Sequence, residues 1–137
     1  MKGKEIAVFL DRDGTISDEV GYVNHVDRFR LLPRVAEAIK LINDGGLLAV
    51  VVTNQAGVAR GYFAESLIKE VHERLEKYLE GEGAHLDGIY YCPHHPEVGP
   101  PEYRINCNCR KPKTGMIDTA ARDLNIDVKR SYMVGDK

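Results

Sequence analysis

The chain alternates between short, unbroken apolar runs and longer stretches in which apolar residues recur every three or four positions. Ile6-Ala7-Val8-Phe9-Leu10 is apolar throughout, as a strand covered on both faces must be. Pro33 can open a helix whose apolar face is drawn by Val35, Ala36, Ile39, Leu41 and Ile42, and Gly45-Gly46 ends it. Leu47 to Val52 is a second buried strand. From Glu65 onward, Leu67, Ile68, Val71, Leu75, Tyr78 and Leu79 mark an amphipathic helix closed by Gly81. Asp87 to Tyr91 is a weaker third strand, and the Pro- and His-rich stretch from Cys92 to Arg110 has no periodicity. Met116, Ile117, Ala120, Ala121 and Leu124 describe a third helix, and Ser131 to Val134 a short fourth strand.

Strands alternating with helices predict an α/β fold, a doubly wound and mostly parallel sheet with right-handed crossovers. The 137 residues suit one domain, 1–137, with the loop 92–110 inside it and no internal repeat. A doubly wound domain normally continues past its fourth strand, so the chain is expected to be cut short at its C-terminus. Hydrophobic content of 43%, charged content of 29% and a net charge of −2 fit a soluble globular domain and argue against general nucleic-acid binding, leaving a local basic pocket open. Neither a signal-peptide pattern nor a membrane-length apolar run is visible. The expectation is therefore a cytoplasmic monomer with no membrane or nucleic-acid partner.

Three strands end in residues suited to chemistry. The first runs into Asp11-Arg12-Asp13-Gly14-Thr15, the second into Thr53-Asn54-Gln55, and the fourth into Gly135-Asp136. In a parallel sheet these carboxyl ends share one edge, where open α/β folds bind their ligands. A carboxylate there can attack a phosphate ester and carry the phosphoryl group as an aspartyl-phosphate. The charge on that group calls for a divalent cation, a lysine and hydroxyl or amide donors. Asp11 and Asp136 can hold Mg²⁺, Thr53 can donate to a phosphoryl oxygen, and Lys111 or Lys113 can supply positive charge. Each piece has a plainer reading, since an Asp-x-Asp is often a solvated turn or a helix cap. Their recurrence at three strand ends favours the chemical one.

Phe9 to Thr15 resembles the first signature of the haloacid dehalogenase-like phosphatases, and Thr53, Lys111 and Gly135-Asp136 match the other three in order. The resemblance implies that Asp11 is the nucleophile and that Asp13 protonates the leaving alcohol and then activates water. It also implies that Thr53 and Lys111 hold the phosphoryl group. Mg²⁺ would sit on Asp11, the backbone carbonyl of Asp13, and Asp136. The implied fold is a Rossmann-like sheet of order 5-4-1-2-3, with an edge strand as its fifth member and short loops in place of a large cap domain.

Cys92-Pro93-His94, twelve residues, then Cys107-Asn108-Cys109 supply three thiols and an imidazole, the soft ligands of a closed structural zinc site. His95 competes with His94 for that place. The plainer alternative is a loop with free thiols. Zinc-bearing members of the superfamily that this chain resembles act on the 7-phosphate of D-glycero-D-manno-heptose 1,7-bisphosphate or on histidinol phosphate. Thr53-Asn54-Gln55-Ala56-Gly57-Val58-Ala59-Arg60-Gly61-Tyr62-Phe63, Gly21-Tyr22-Val23 and the long gap in the zinc loop resemble the heptose group. By that resemblance Glu19, Val20, Gly21, Tyr22, Thr53, Asn54, Gln55, Ala56, Arg110 and Lys111 would contact a sugar bisphosphate. Arg110 suits a second phosphate because guanidinium binds phosphate through two donors. Solvated surface charge is the plainer fate of Arg110 and Arg60, and core packing that of Tyr22. A zinc-stabilised scaffold without catalysis is the alternative from another class.

Overall fold

The computed structural model describes residues 4–12, 34–55, 59, 61, 65–97, 99–104, 107, 111 and 114–134. Four parallel strands lie in the order β3-β2-β1-β4: β1 Ala7–Leu10, β2 Leu48–Asn54, β3 Gly88–Cys92 and β4 Tyr132–Val134. This is the expected order without its fifth member. Among the described residues three α-helices connect them: α1 Val35–Asp44, α2 Glu65–Gly81 and α3 Gly115–Leu124.

β1 is central and wholly buried, and its alternate side chains feed two cores. Val8 and Leu10 join Ala49 and Val51 of β2 beneath α1 and α2, packing on Ile39, Val71, Leu75 and Leu79. Ala7 and Phe9 join Val50 and Val52 on the other face, beneath Met116 and Ala120 of α3 and Ile126. An apolar run with no polar alternation is what two covered faces require. Pairing is in register across the sheet, with Phe9 opposite Val50 on one side and Met133 on the other.

Two of the helices end where a glycine can take the left-handed conformation. After α1, Gly46 (φ 78°) lets its own N–H reach Asn43 O and the Leu47 N–H reach Ile42 O. After α2, Gly83 (φ 79°) sets the same paired bonds, to Glu80 O and from Ala84 N to Leu79 O. The helix thus runs through Gly81, the residue expected to close it. Two positions assigned to apolar faces also face out: Leu41 is 70% exposed and Tyr78 50%. β4 is exposed along its length. β2 extends two residues further than its apolar run, because Thr53 and Asn54 still pair with Tyr91 and Cys92 of β3.

Leu75 has no exposed surface and Leu41 is mostly exposed, so the two test this packing directly. Leu75→Ala is expected to lower unfolding stability by about 2–5 kcal/mol. Leu41→Ala is expected to change it by less than about 0.5 kcal/mol in the same urea titration.

Candidate active site

The strand ends meet where the topology reverses, at the tip of β1. Asp11 follows Leu10 directly, and its N–H donates to Val134 O of β4 at 3.0 Å, extending the ladder by one bond. One carboxylate oxygen, Oδ1, accepts from Arg12 N at 2.8 Å and lies 3.1 Å from Lys111 Nζ. Lys111 comes from the loop before α3. Its ammonium also donates to Val52 O at 3.2 Å, so the lysine bridges the tips of β1 and β2.

β2 supplies the next group. Thr53 is buried, and its hydroxyl accepts from Gln55 Nε2 at 2.9 Å while facing Asn54 O at 3.4 Å. The Gln55 N–H donates to Cys92 O at 2.7 Å, tying the end of β2 to the end of β3. Asn54 turns its side-chain amide to the backbone of Lys111, accepting from N at 2.9 Å and donating to O at 3.3 Å. Asp11, Thr53, Asn54, Gln55 and Lys111 are thereby gathered into one site. Asp13, Glu19, Val20, Gly21, Tyr22, Ala56, Arg110 and Asp136 lie outside the described residues, as does Arg60.

Beside this site, Cys92 Sγ lies 3.4 Å from Cys107 Sγ and 3.6 Å from His94 Nδ1, and the three ligand atoms fall within 4.8 Å of one another. Bond lengths of about 2.3 Å to sulfur and 2.0–2.1 Å to nitrogen give a tetrahedral zinc site edges of about 3.6–3.8 Å. Two thiols and an imidazole at this spacing therefore fit zinc in both chemistry and size. His95 is directed elsewhere, with Nδ1 accepting from Glu97 N at 3.0 Å and its backbone N–H bonded to Tyr103 O. Cys109 lies outside the described residues.

Two clusters under the site escape a reading of the sequence. Arg12, between the two carboxylates of the motif, is only 1% exposed, and its Nη1 lies 3.3 Å from His72 Nε2 on α2. Burial and the neighbouring guanidinium drive the His72 pKa down to about 3, so the ring is neutral at physiological pH. Its Nε2 can then accept from Arg12. His72 sits four residues after Ile68 and three before Leu75, on the buried face of α2, and that spacing was the available signal. The second cluster holds the zinc-type loop. Both carboxylate oxygens of Glu65 are used, Oε1 accepting from Tyr91 Oη at 2.9 Å and Oε2 from Tyr103 Oη at 3.2 Å. Burial, and then Glu65, push the Tyr91 pKa up to about 12, so the phenol stays protonated and keeps donating.

Comparison with known proteins gives this geometry a context. A curated D-glycero-beta-D-manno-heptose-1,7-bisphosphate 7-phosphatase from Haemophilus ducreyi is 53% identical over 132 residues, covering 96% of this chain and 72% of that protein. The chain belongs to this phosphatase family. A second heptose-bisphosphate phosphatase, from Escherichia coli K12, is 47% identical over 131 residues, 96% of this chain and 69% of its own length. Residues 5–137 also match the family model described as polynucleotide kinase 3 phosphatase. Among solved structures, a putative HAD-like phosphatase from Mesorhizobium loti superposes with a TM-score of 0.92 at 39% identity, over 99% of this chain and 65% of that one. The D,D-heptose 1,7-bisphosphate phosphatase of B. bronchiseptica, solved with magnesium and phosphate, superposes with a TM-score of 0.85 at 32% identity, over 96% and 70%. The chain thus spans about two thirds to three quarters of these relatives. The expected membership of the haloacid dehalogenase-like phosphatases, with a heptose-bisphosphate branch, agrees with these matches.

The His72 environment makes a prediction about stability. Between pH 6.5 and about 3 the unfolded chain binds a proton at this ring that the folded chain does not. Stability from the neutral ring is therefore full above pH 6.5 and is lost as pH falls toward 3. His72→Gln is expected to flatten this part of the pH dependence, measured as the difference in urea-unfolding free energy between wild type and variant at several pH values. Parallel curves from pH 6.5 to 4 would contradict the assignment.

Proposed function

We propose that this protein is a Mg²⁺-dependent phosphomonoesterase that removes the 7-phosphate of D-glycero-D-manno-heptose 1,7-bisphosphate. The observation that carries the reading is the Lys111–Asp11 contact at the tip of the central strand, in a chain 53% identical to a phosphatase of that name. A carboxylate at a strand tip, paired with an ammonium group, is placed to receive a phosphoryl group whose charge the lysine offsets. Asp11 would attack phosphorus through its carboxylate oxygen. The ester oxygen would leave with a proton from Asp13, giving the free sugar alcohol and an aspartyl-phosphate. Asp13, now a carboxylate, would take a proton from water as that water attacks phosphorus, releasing inorganic phosphate and restoring Asp11. Thr53 and Lys111 would hold the phosphoryl oxygens.

The acceptor set that the resemblance implies is oxygen-only, which suits Mg²⁺ over softer metals. Asp11, the Asp13 carbonyl and Asp136 would hold it, and it would offset charge on the phosphoryl group when bound. Cys92, His94, Cys107 and Cys109 would hold a structural zinc, with all four positions filled by protein. The zinc loop would order Arg110 and Lys111, which follow its last ligand, and Arg110 would face the second phosphate. Glu19 to Tyr22, Thr53, Gln55 and Ala56 would complete the contacts to a small soluble substrate.

Asp11→Asn is expected to abolish phosphate release from heptose bisphosphate, as is chelation of Mg²⁺. The wild-type enzyme should prefer heptose bisphosphate over histidinol phosphate by at least about tenfold in kcat/KM, near 1.4 kcal/mol of transition-state binding. A preference for histidinol phosphate would overturn the substrate assignment and leave the phosphatase standing. For the second metal, Cys107→Ala is expected to lose stoichiometric zinc by elemental analysis and to lower both melting temperature and activity. Unchanged zinc content and activity would refute a structural role for that group.

A further inference from the structure

A lysine that stabilises a transferring phosphoryl group must be held still, yet its four-carbon stem is among the most mobile of side chains. At its outer end, Lys111 Nζ is fixed by Asp11 Oδ1 at 3.1 Å and Val52 O at 3.2 Å. At its backbone, both the N–H and the carbonyl are taken by the Asn54 side chain, at 2.9 and 3.3 Å. The geometry points to Asn54 as a positioning residue that clamps the Lys111 backbone and so aims its ammonium at the phosphoryl site, in place of the contact with the sugar that resemblance assigns to it. The inference rests on the phosphatase reading for the role of Lys111.

A carboxamide is suited to this task because it carries one acceptor and one donor group side by side, matching the donor and acceptor of a single peptide residue. A carboxylate would keep the acceptor and turn negative charge on the Lys111 carbonyl. An aliphatic side chain would keep neither bond. The clamp is itself anchored. Asn54 closes β2 opposite Cys92 of β3, and the next residue donates from its backbone to Cys92 O at 2.7 Å. The same strand pair that carries the first zinc-type thiol thus fixes the lysine.

The test uses the full chain, two substrates and one readout that does not depend on turnover. A sugar contact would be felt only with heptose bisphosphate. A clamp on Lys111 would be felt equally with p-nitrophenyl phosphate, which has no sugar. Asn54→Ala is expected to lower kcat by tenfold or more on both substrates, with the ratio of their KM values unchanged. It should also speed hydrogen exchange at the Lys111 amide by tenfold or more. Asn54→Asp, which keeps the acceptor for that N–H, should retain slow exchange and more of kcat, and serves if the alanine variant folds poorly. A rise in KM confined to heptose bisphosphate, or unchanged exchange at Lys111 in Asn54→Ala, would overturn the assignment. If the wild type hydrolysed p-nitrophenyl phosphate and left heptose bisphosphate untouched, the substrate reading would fall. The aryl-phosphate and exchange results would still decide the clamp.

Discussion

Lys111 and Asp11 meet at 3.1 Å although they belong to opposite ends of the chain, and the parallel sheet is what brings them together. β1 is flanked by β2 and β4, both running in its own direction, so every strand delivers its carboxyl end to the same edge. Lys111, between β3 and α3, lies at the tips of β2 and β1. It reaches Val52 O of one and Asp11 of the other. Each remaining feature of the site either supports this contact from below or holds the loop that carries the lysine.

Support from below comes from burial of groups that would be costly if unpaired. Arg12 takes its charge into the space under the Asp11 tip and meets a histidine that burial keeps neutral. Among the described residues no buried side-chain nitrogen or oxygen lacks a hydrogen-bond partner. The loop is held from the side. Glu65 grips two tyrosines, one on β3 and one between His94 and Cys107, and Cys92, His94 and Cys107 converge at spacings close to those of a tetrahedral metal site. A metal there and a carboxylate at the head of α2 would restrain the same loop from two directions, leaving little slack at the residues that follow it.

The architecture was legible in the sequence because each strand is short, apolar and bounded, and each helix shows one apolar stripe. Asp11 and Thr53 could be singled out because strand ends in such a sheet converge whatever the loops between them do, whereas only the family resemblance separates Lys111 from Lys113. Their partners could not. Nothing local marks Asn54 as bound to Lys111 in place of substrate, since a bond across the fold leaves no periodic trace. Arg12 and Glu65 read as solvated charges by composition, and only tertiary packing buries the first and pairs the second. Leu41 and Tyr78 err the other way, apolar or aromatic by type and exposed because their helices turn that edge outward. His94 and His95 were equivalent by spacing, and the backbone bond from Glu97 to His95 Nδ1 separates them.

On the proposed mechanism, this strand tip makes Asp11 the acceptor of a phosphoryl group. The most direct test is an acid quench during steady-state turnover of heptose bisphosphate, followed by peptide mapping of the phosphorylated chain. A phosphoenzyme is expected, labile in base as an acyl phosphate is, with its phosphate on Asp11. Turnover with no trapped phosphoenzyme under these conditions, or a phosphate mapped to any other residue, would contradict that mechanism.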